Sequence, residues 1–209
     1  SGYPAMARLL ARRPKISVAV HVAGWREVAH QVTARAVDLG LAELSGVQDD
    51  DQFATELVGQ HHGRIFCRPG HPILAAGRVA LPALLEFPWM ASRIPARIAA
   101  GLPRSLGRAG KIDALSGDFI PAITIDVPMQ IADLLAGSDT LAIASLALME
   151  RDLDAGNVAV VPTSKIAFQA SYGFIHLKDR SLTPAALAYM DEVRAVEAEI
   201  VEREAALAS

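Results

Sequence analysis

The chain has 209 residues, 52% apolar, 21% charged and 5% aromatic, with a formal net charge of −3. That composition excludes a disordered chain and leaves room for one large domain or two small lobes. The negative balance gives these residues no electrostatic pull toward DNA, and few aromatics are on hand to stack single-stranded bases.

Residues 4–13 are expected to be helical, with Met6, Leu9 and Leu10 on one face and Arg8, Arg12 and Arg13 on the other. Pro14 ends that helix. Residues 16–22 partly alternate and predict a strand; residues 25–35 predict a second helix. The apolar run 37–42 fits a buried parallel strand, and Gly40 within it leaves room for a close neighbour.

An acidic loop over 46–52 precedes two strand-like stretches, 55–60 and 64–68. Pro69-Gly70-His71-Pro72 then breaks the chain. A helical turn (81–86), a strand (88–92) and a helix from Pro95 follow. Residues 107–118 are glycine-rich and polar, and are expected to be a mobile loop. Beyond them come a strand (122–125), a helix from Asp126-Val127-Pro128 to Ala136, a strand (140–144), a helix (146–153) and strands at 158–161 and 168–177. Thr183 and Pro184 open a last helix carrying Leu187, Met190, Val193 and Ile200 inward. The strand–helix–strand alternation implies right-handed βαβ units in mostly parallel sheets, in two lobes joined by two crossings.

Five stretches, in order, resemble the effector-binding domain of LysR-type transcriptional regulators. They are residues 3–18, from Tyr3-Pro4 to Ile16-Ser17-Val18; Val37-Asp38-Leu39-Gly40-Leu41; Phe66-Cys67-Arg68-Pro69-Gly70-His71-Pro72-Ile73; residues 135–144; and Leu182-Thr183-Pro184-Ala185-Ala186. The resemblance implies two Rossmann-like α/β subdomains joined by two crossing strands, a type 2 periplasmic-binding-protein-like fold. Subdomain I would hold residues 1–68 and 174–209, and subdomain II residues 69–173. The family's N-terminal helix-turn-helix and the strand that usually precedes its first helix are not in this stretch of sequence. The resemblance further implies antiparallel homodimers, tetramers at full length, with residues 4–22 facing roughly 128–145 of a second copy. Met6, Leu9, Met129 and Leu135 then lie either in that interface or in the intramolecular core.

Such a fold would take a small metabolite between its lobes, at strand-to-helix turns where helix N-termini offer N–H groups. The candidate ligand-binding residues are Ser1, Gly2, Glu43, Ser92, Arg93, Asp126 and Val127. Ser92 either meets ligand or caps a turn. Arg93 either clamps a carboxylate or is a solvated surface residue. Asp126 either caps a helix or would suit an amine. The expected effector is a carboxylate or an amino-acid-like metabolite. Promoter DNA would be reached only through the separate N-terminal domain.

No cofactor, metal or catalytic residue is expected. Adjacent His61 and His62 point to opposite strand faces, and Asp49-Asp50-Asp51 lacks the spacing of a calcium loop. Cys67, the single cysteine, excludes an internal disulfide and reads as a core residue. Phosphate-binding glycine loops and nucleophile elbows are missing from the sequence. With no signal-like start and no apolar run near ~18 residues, the chain reads as cytoplasmic and free of the membrane. A transporter's solute-binding protein and a small α/β enzyme share the lobed pattern and stand as alternatives.

Overall fold

Helices and strands are interspersed in the computed structural model, which describes residues 1–126, 131–163 and 168–207. Antiparallel pairings stand beside the parallel ones, so the sheets are mixed where mostly parallel ones were expected. The described residues form two compact units: Ser1–Gln60 with Ser171–Ser209, and His61–Ala170. Two strands, β2 (Phe53–Cys67) and β9 (Phe168–Leu177), contribute residues to both units.

In the first unit, α1 (Gly2–Arg12) packs on the 24-residue α7 (Pro184–Leu207). Ala5 and Leu9 of α1 are buried, as are Met190, Val193, Val196 and Ile200, which recur every three or four residues along α7. Leu187, expected inward, is half exposed at the first turn. Arg8 holds Glu199 through two bonds of 2.6 Å, joining the polar sides of the two helices. β1 (Gly40–Glu43) runs antiparallel to β9, from Gly40 opposite Ile175 to Glu43 opposite Tyr172. α2 (Trp25–Thr33) lies directly on β1, because a β carbon on Gly40 would sit 2.6 Å from Val28 Cγ1. Val32, Leu44, Val47, Phe53 and Ile175 form the core beneath.

The strand expected over residues 16–22 does not form. That segment makes no ladder, and Val18, Val20 and Val22 are 40%, 51% and 46% exposed. Its β-branched alternation suits a strand, but a strand also needs a hydrogen-bonding neighbour, and the described residues supply none.

In the second unit, β2 pairs antiparallel with β7 (Leu141–Ser145), which lies parallel to β3 (Trp89–Ala91), itself parallel to β6 (Ile123–Thr124). β8 (Ala159–Val160) also pairs with β2. Around this sheet stand a 3-10 turn (Pro72–Ala76), α3 (Leu81–Leu84), α4 (Ala96–Ala99), α5 (Ile131–Ala136) and α6 (Leu146–Asp154). Trp89 is fully buried, meets Phe119 and Phe168 edge to face, and donates from Nε1 to Leu84 O at 2.9 Å.

The polar stretch 107–118, expected to be a mobile loop, holds a paired strand and a closed turn. β4 (Gly110–Ile112) pairs with β5 (Phe119–Pro121), and Asp113 closes the turn between them. The two strands expected at 55–60 and 64–68 are one continuous strand. Leu9 and Leu135 are buried within their own units, so the intramolecular alternative holds for both. Met129 lies outside the described residues.

Candidate functional site

Parallel strands end together, so the residues that follow them cluster along one edge of the sheet. In the second unit, Met90 of β3 aligns with Ile123 of β6 and with Ala142 of β7. The turns after β3, β6 and β7 therefore share that edge. They carry Ser92 and Arg93, Ile125 and Asp126, and Ser145 respectively. β2 adds Gly63, which stands opposite Ser145.

Ser92 Oγ donates to Ile125 O at 2.9 Å, tying the first two turns together. This hydroxyl braces the edge while Ser92 remains exposed. Ser145 is the N-cap of α6, and its Oγ accepts from Leu148 N at 3.3 Å. Ser145 is not among the candidates that strand-to-helix turns pick out in the sequence, although a serine between an apolar strand and an apolar helix is a signal for it. Asp126 is described, but Val127 and the start of the helix it was expected to cap lie outside the described residues.

Arg93 is held by acidic neighbours. Its Nε donates to Asp118 Oδ2 at 2.8 Å, and its Nη2 donates to Asp113 Oδ2 at 2.6 Å and to Ser116 Oγ at 2.8 Å. Asp118 is 1% exposed and also accepts from Ala96 N at 3.0 Å. Backbone N–H groups of Ser116 and Leu115, followed by Arg93, lower the Asp113 carboxyl to about 2. Two carboxylates thus more than balance one guanidinium, which works here as the fastening of a loop.

The first unit gathers the other candidates. Glu43 ends β1 and turns onto the next bend, where Oε1 accepts from Ser45 Oγ at 2.7 Å and Oε2 from Ser45 N at 2.8 Å. Tyr172, opposite Glu43 in β9, shares a 3.0 Å hydrogen bond with Ser1 Oγ and donates to the buried Glu197. Gly2 follows as the first residue of α1, and its carbonyl accepts from Tyr189 Oη at 3.3 Å. Tyr172 and Glu197 were not foreseen, because they reach this edge from the far end of the chain.

The remaining polar groups have structural surroundings. His71 is buried against Phe87, and its Nδ1 accepts from Ile73 N at 3.1 Å. Cys67 is fully buried, and burial pushes its thiol up to about 11. Among the described residues no three His, Cys, Asp or Glu side chains could hold a metal ion. No helix among them is long and apolar enough to cross a membrane.

Residues 3–198 match the model of the LysR substrate binding domain. The SDS degradation transcriptional activation protein of Pseudomonas sp. (strain ATCC 19151) is 28% identical over 186 residues, 87% of this chain. The chain spans 58% of that relative's length. The effector domain of the transcriptional regulator AmpR of Pseudomonas aeruginosa superposes with a TM-score of 0.66 at 21% identity, covering 99% of this chain and 93% of that one. The CcmR regulatory domain of Synechocystis PCC6803, in complex with 2-PG, gives 0.67 at 13% identity, with 92% and 89% covered. These structural likenesses establish a mixed α/β fold of the LysR regulatory-domain kind. A family match running through both units, supported by that fold, identifies the chain as a member of the LysR substrate-binding domain family.

Proposed function

We propose that this domain senses a small metabolite for a cytoplasmic transcriptional regulator whose DNA-binding part lies in a separate N-terminal domain. In this reading the two units are Rossmann-like lobes, and the effector binds at the turns that follow their strands. Closure around the effector would bias a homodimer or tetramer toward one arrangement, which requires different affinity for the two arrangements.

The carrying observation is the shared edge of β3, β6 and β7, where Ser92, Asp126 and Ser145 stand at three adjacent turns. Hydroxyls and helix N-termini suit carboxylate or amino-acid-like ligands. The CcmR domain was solved with one small molecule, 2-PG. Ser1, Gly2 and Glu43 would contribute from the first unit. With Arg93 already engaged by two aspartates and the Ser92 proton given to Ile125 O, the proposed carboxylate contacts are N–H groups at the turns and the Ser145 hydroxyl.

A thermal-shift panel of monocarboxylates, dicarboxylates and amino acids tests the proposal. One class should raise the melting temperature in a concentration-dependent way, since a ligand of the folded state stabilises it. Ser145→Ala should weaken a carboxylate ligand about tenfold, the loss of one good hydrogen bond, because the Ser145 hydroxyl accepts from Leu148 N and keeps its own proton. A flat response to all three classes at millimolar concentration would refute the reading.

A further inference from the structure

A serine at the N-cap of a helix ordinarily accepts a hydrogen bond from the second or third helical N–H. Ser1 stands at the N-cap of α1, yet its side chain makes no such bond. The third helical residue is Pro4, which has no N–H to offer. Ser1 Oγ turns instead to Tyr172 Oη of β9, 3.0 Å away. Tyr172 donates in turn to the carboxylate of Glu197 on α7, a side chain in a residue only 3% exposed. Gly59 of β2 makes room for that carboxylate, because a β carbon there would overlap Glu197 Oε1. Elements from both ends of the chain thus build one line of hydroxyls that ends on a buried acid.

The order of donors along this line is fixed. A carboxylate only accepts, and a phenol has a single proton to give. Tyr172 gives that proton to Glu197, so the bond between Ser1 and Tyr172 is donated by Ser1. The Ser1 hydroxyl has then spent its proton, and α1 takes none of its lone pairs. We propose that Tyr172 and Glu197 are positioning residues that make Ser1 a hydrogen-bond acceptor, so that the effector meets it with a hydroxyl or an ammonium and not with a carboxylate. The inference rests on the effector-site reading given above and narrows it. Ser92, whose proton goes to Ile125 O, is an acceptor of the same kind, whereas Ser145 keeps its proton to donate. A plain carboxylic acid satisfies Ser145 alone. A hydroxy acid or an amino acid satisfies both kinds of group.

Propionate, lactate and alanine differ only in the group beside the carboxylate, and their dissociation constants can be read from thermal-shift titrations. Lactate or alanine should bind about tenfold more tightly than propionate, the worth of one good hydrogen bond. Lactate ahead of alanine makes the donor a hydroxyl; alanine ahead of lactate makes it an ammonium. Ser1→Ala should bring the three within about twofold of one another. Tyr172→Phe frees the Ser1 proton and should strengthen propionate about threefold, a gain that lost packing would not give. Ser1 is partly exposed at the start of α1, so Ser1→Ala decides the matter even where Tyr172→Phe fails to fold. Propionate bound as tightly as the other two overturns the inference and leaves the effector site standing. Discrimination that survives Ser1→Ala overturns it as well. A flat response to all three overturns the effector-site reading and the inference together.

Discussion

Arg93 Nε lies 2.8 Å from Asp118 Oδ2, and the carboxylate side chain is almost fully buried while the guanidinium is about one-third exposed. Asp118 also accepts from Ala96 N, so one buried side chain joins the end of the β3 turn to the start of α4. Asp118→Ala should lower stability by about 1–3 kcal/mol, since it removes the acceptor of Ala96 N and of Arg93 Nε, while Asp113 and Ser116 still hold the guanidinium. Urea unfolding measures this. Arg93→Ala should cost about as much or less, because Asp118 keeps its Ala96 contact.

Acid should loosen the same turn. The Asp113 carboxyl sits at about 2 in the fold against 3.8 for an ordinary aspartate. A depressed folded-state value means that its contribution is complete above the unfolded value and disappears as pH falls through the folded one. The window is therefore about pH 4 to 2. Urea midpoints taken across it should fall less steeply for Asp113→Asn than for the unaltered chain, and parallel slopes would refute this.

Cys67 should be unreactive in the native state. It is fully buried, and its thiol is pushed up to about 11, so the thiolate is scarce at pH 8. A chromogenic disulfide reagent should label less than about a tenth of the protein before denaturant is added and all of it afterward.

Gly173 admits no larger residue. A β carbon there would lie 2.0 Å from the Glu56 carbonyl oxygen, a backbone atom in the neighbouring strand. Gly173→Ala should destabilise the protein by about 1–3 kcal/mol through strand displacement. A thermal melt with an unchanged midpoint would contradict this packing.

Local patterns announced most elements. Met190, Val193 and Ile200 marked the buried stripe of α7 at helical spacing, and Gly40 marked the close approach of α2. Residues 16–22 misled because alternation reports which faces a strand would present, not whether a partner is at hand. The long β2 was read as two strands because Gly59 to Gly63 lacks apolar side chains, yet Phe168 packs against Gly63 from β9. Within the candidate site, Ser92 and Asp126 were placed by strand ends alone. The engagement of Arg93 was hidden, since Asp113 and Asp118 come 20 and 25 residues later and a polar run does not state which cation it folds onto. The rival readings as a transporter protein or an enzyme share the lobed pattern, and the family match separates them from this chain.

The division of the chain also orders its birth. His61–Ala170 is one uninterrupted stretch, whereas the first unit needs Ser1–Gln60 together with Ser171–Ser209. On the ribosome the interior stretch can close on itself while the earlier residues still wait for β9 and α7. The unit that begins first is finished last, and until then the apolar face of α1 lacks the helix that covers it.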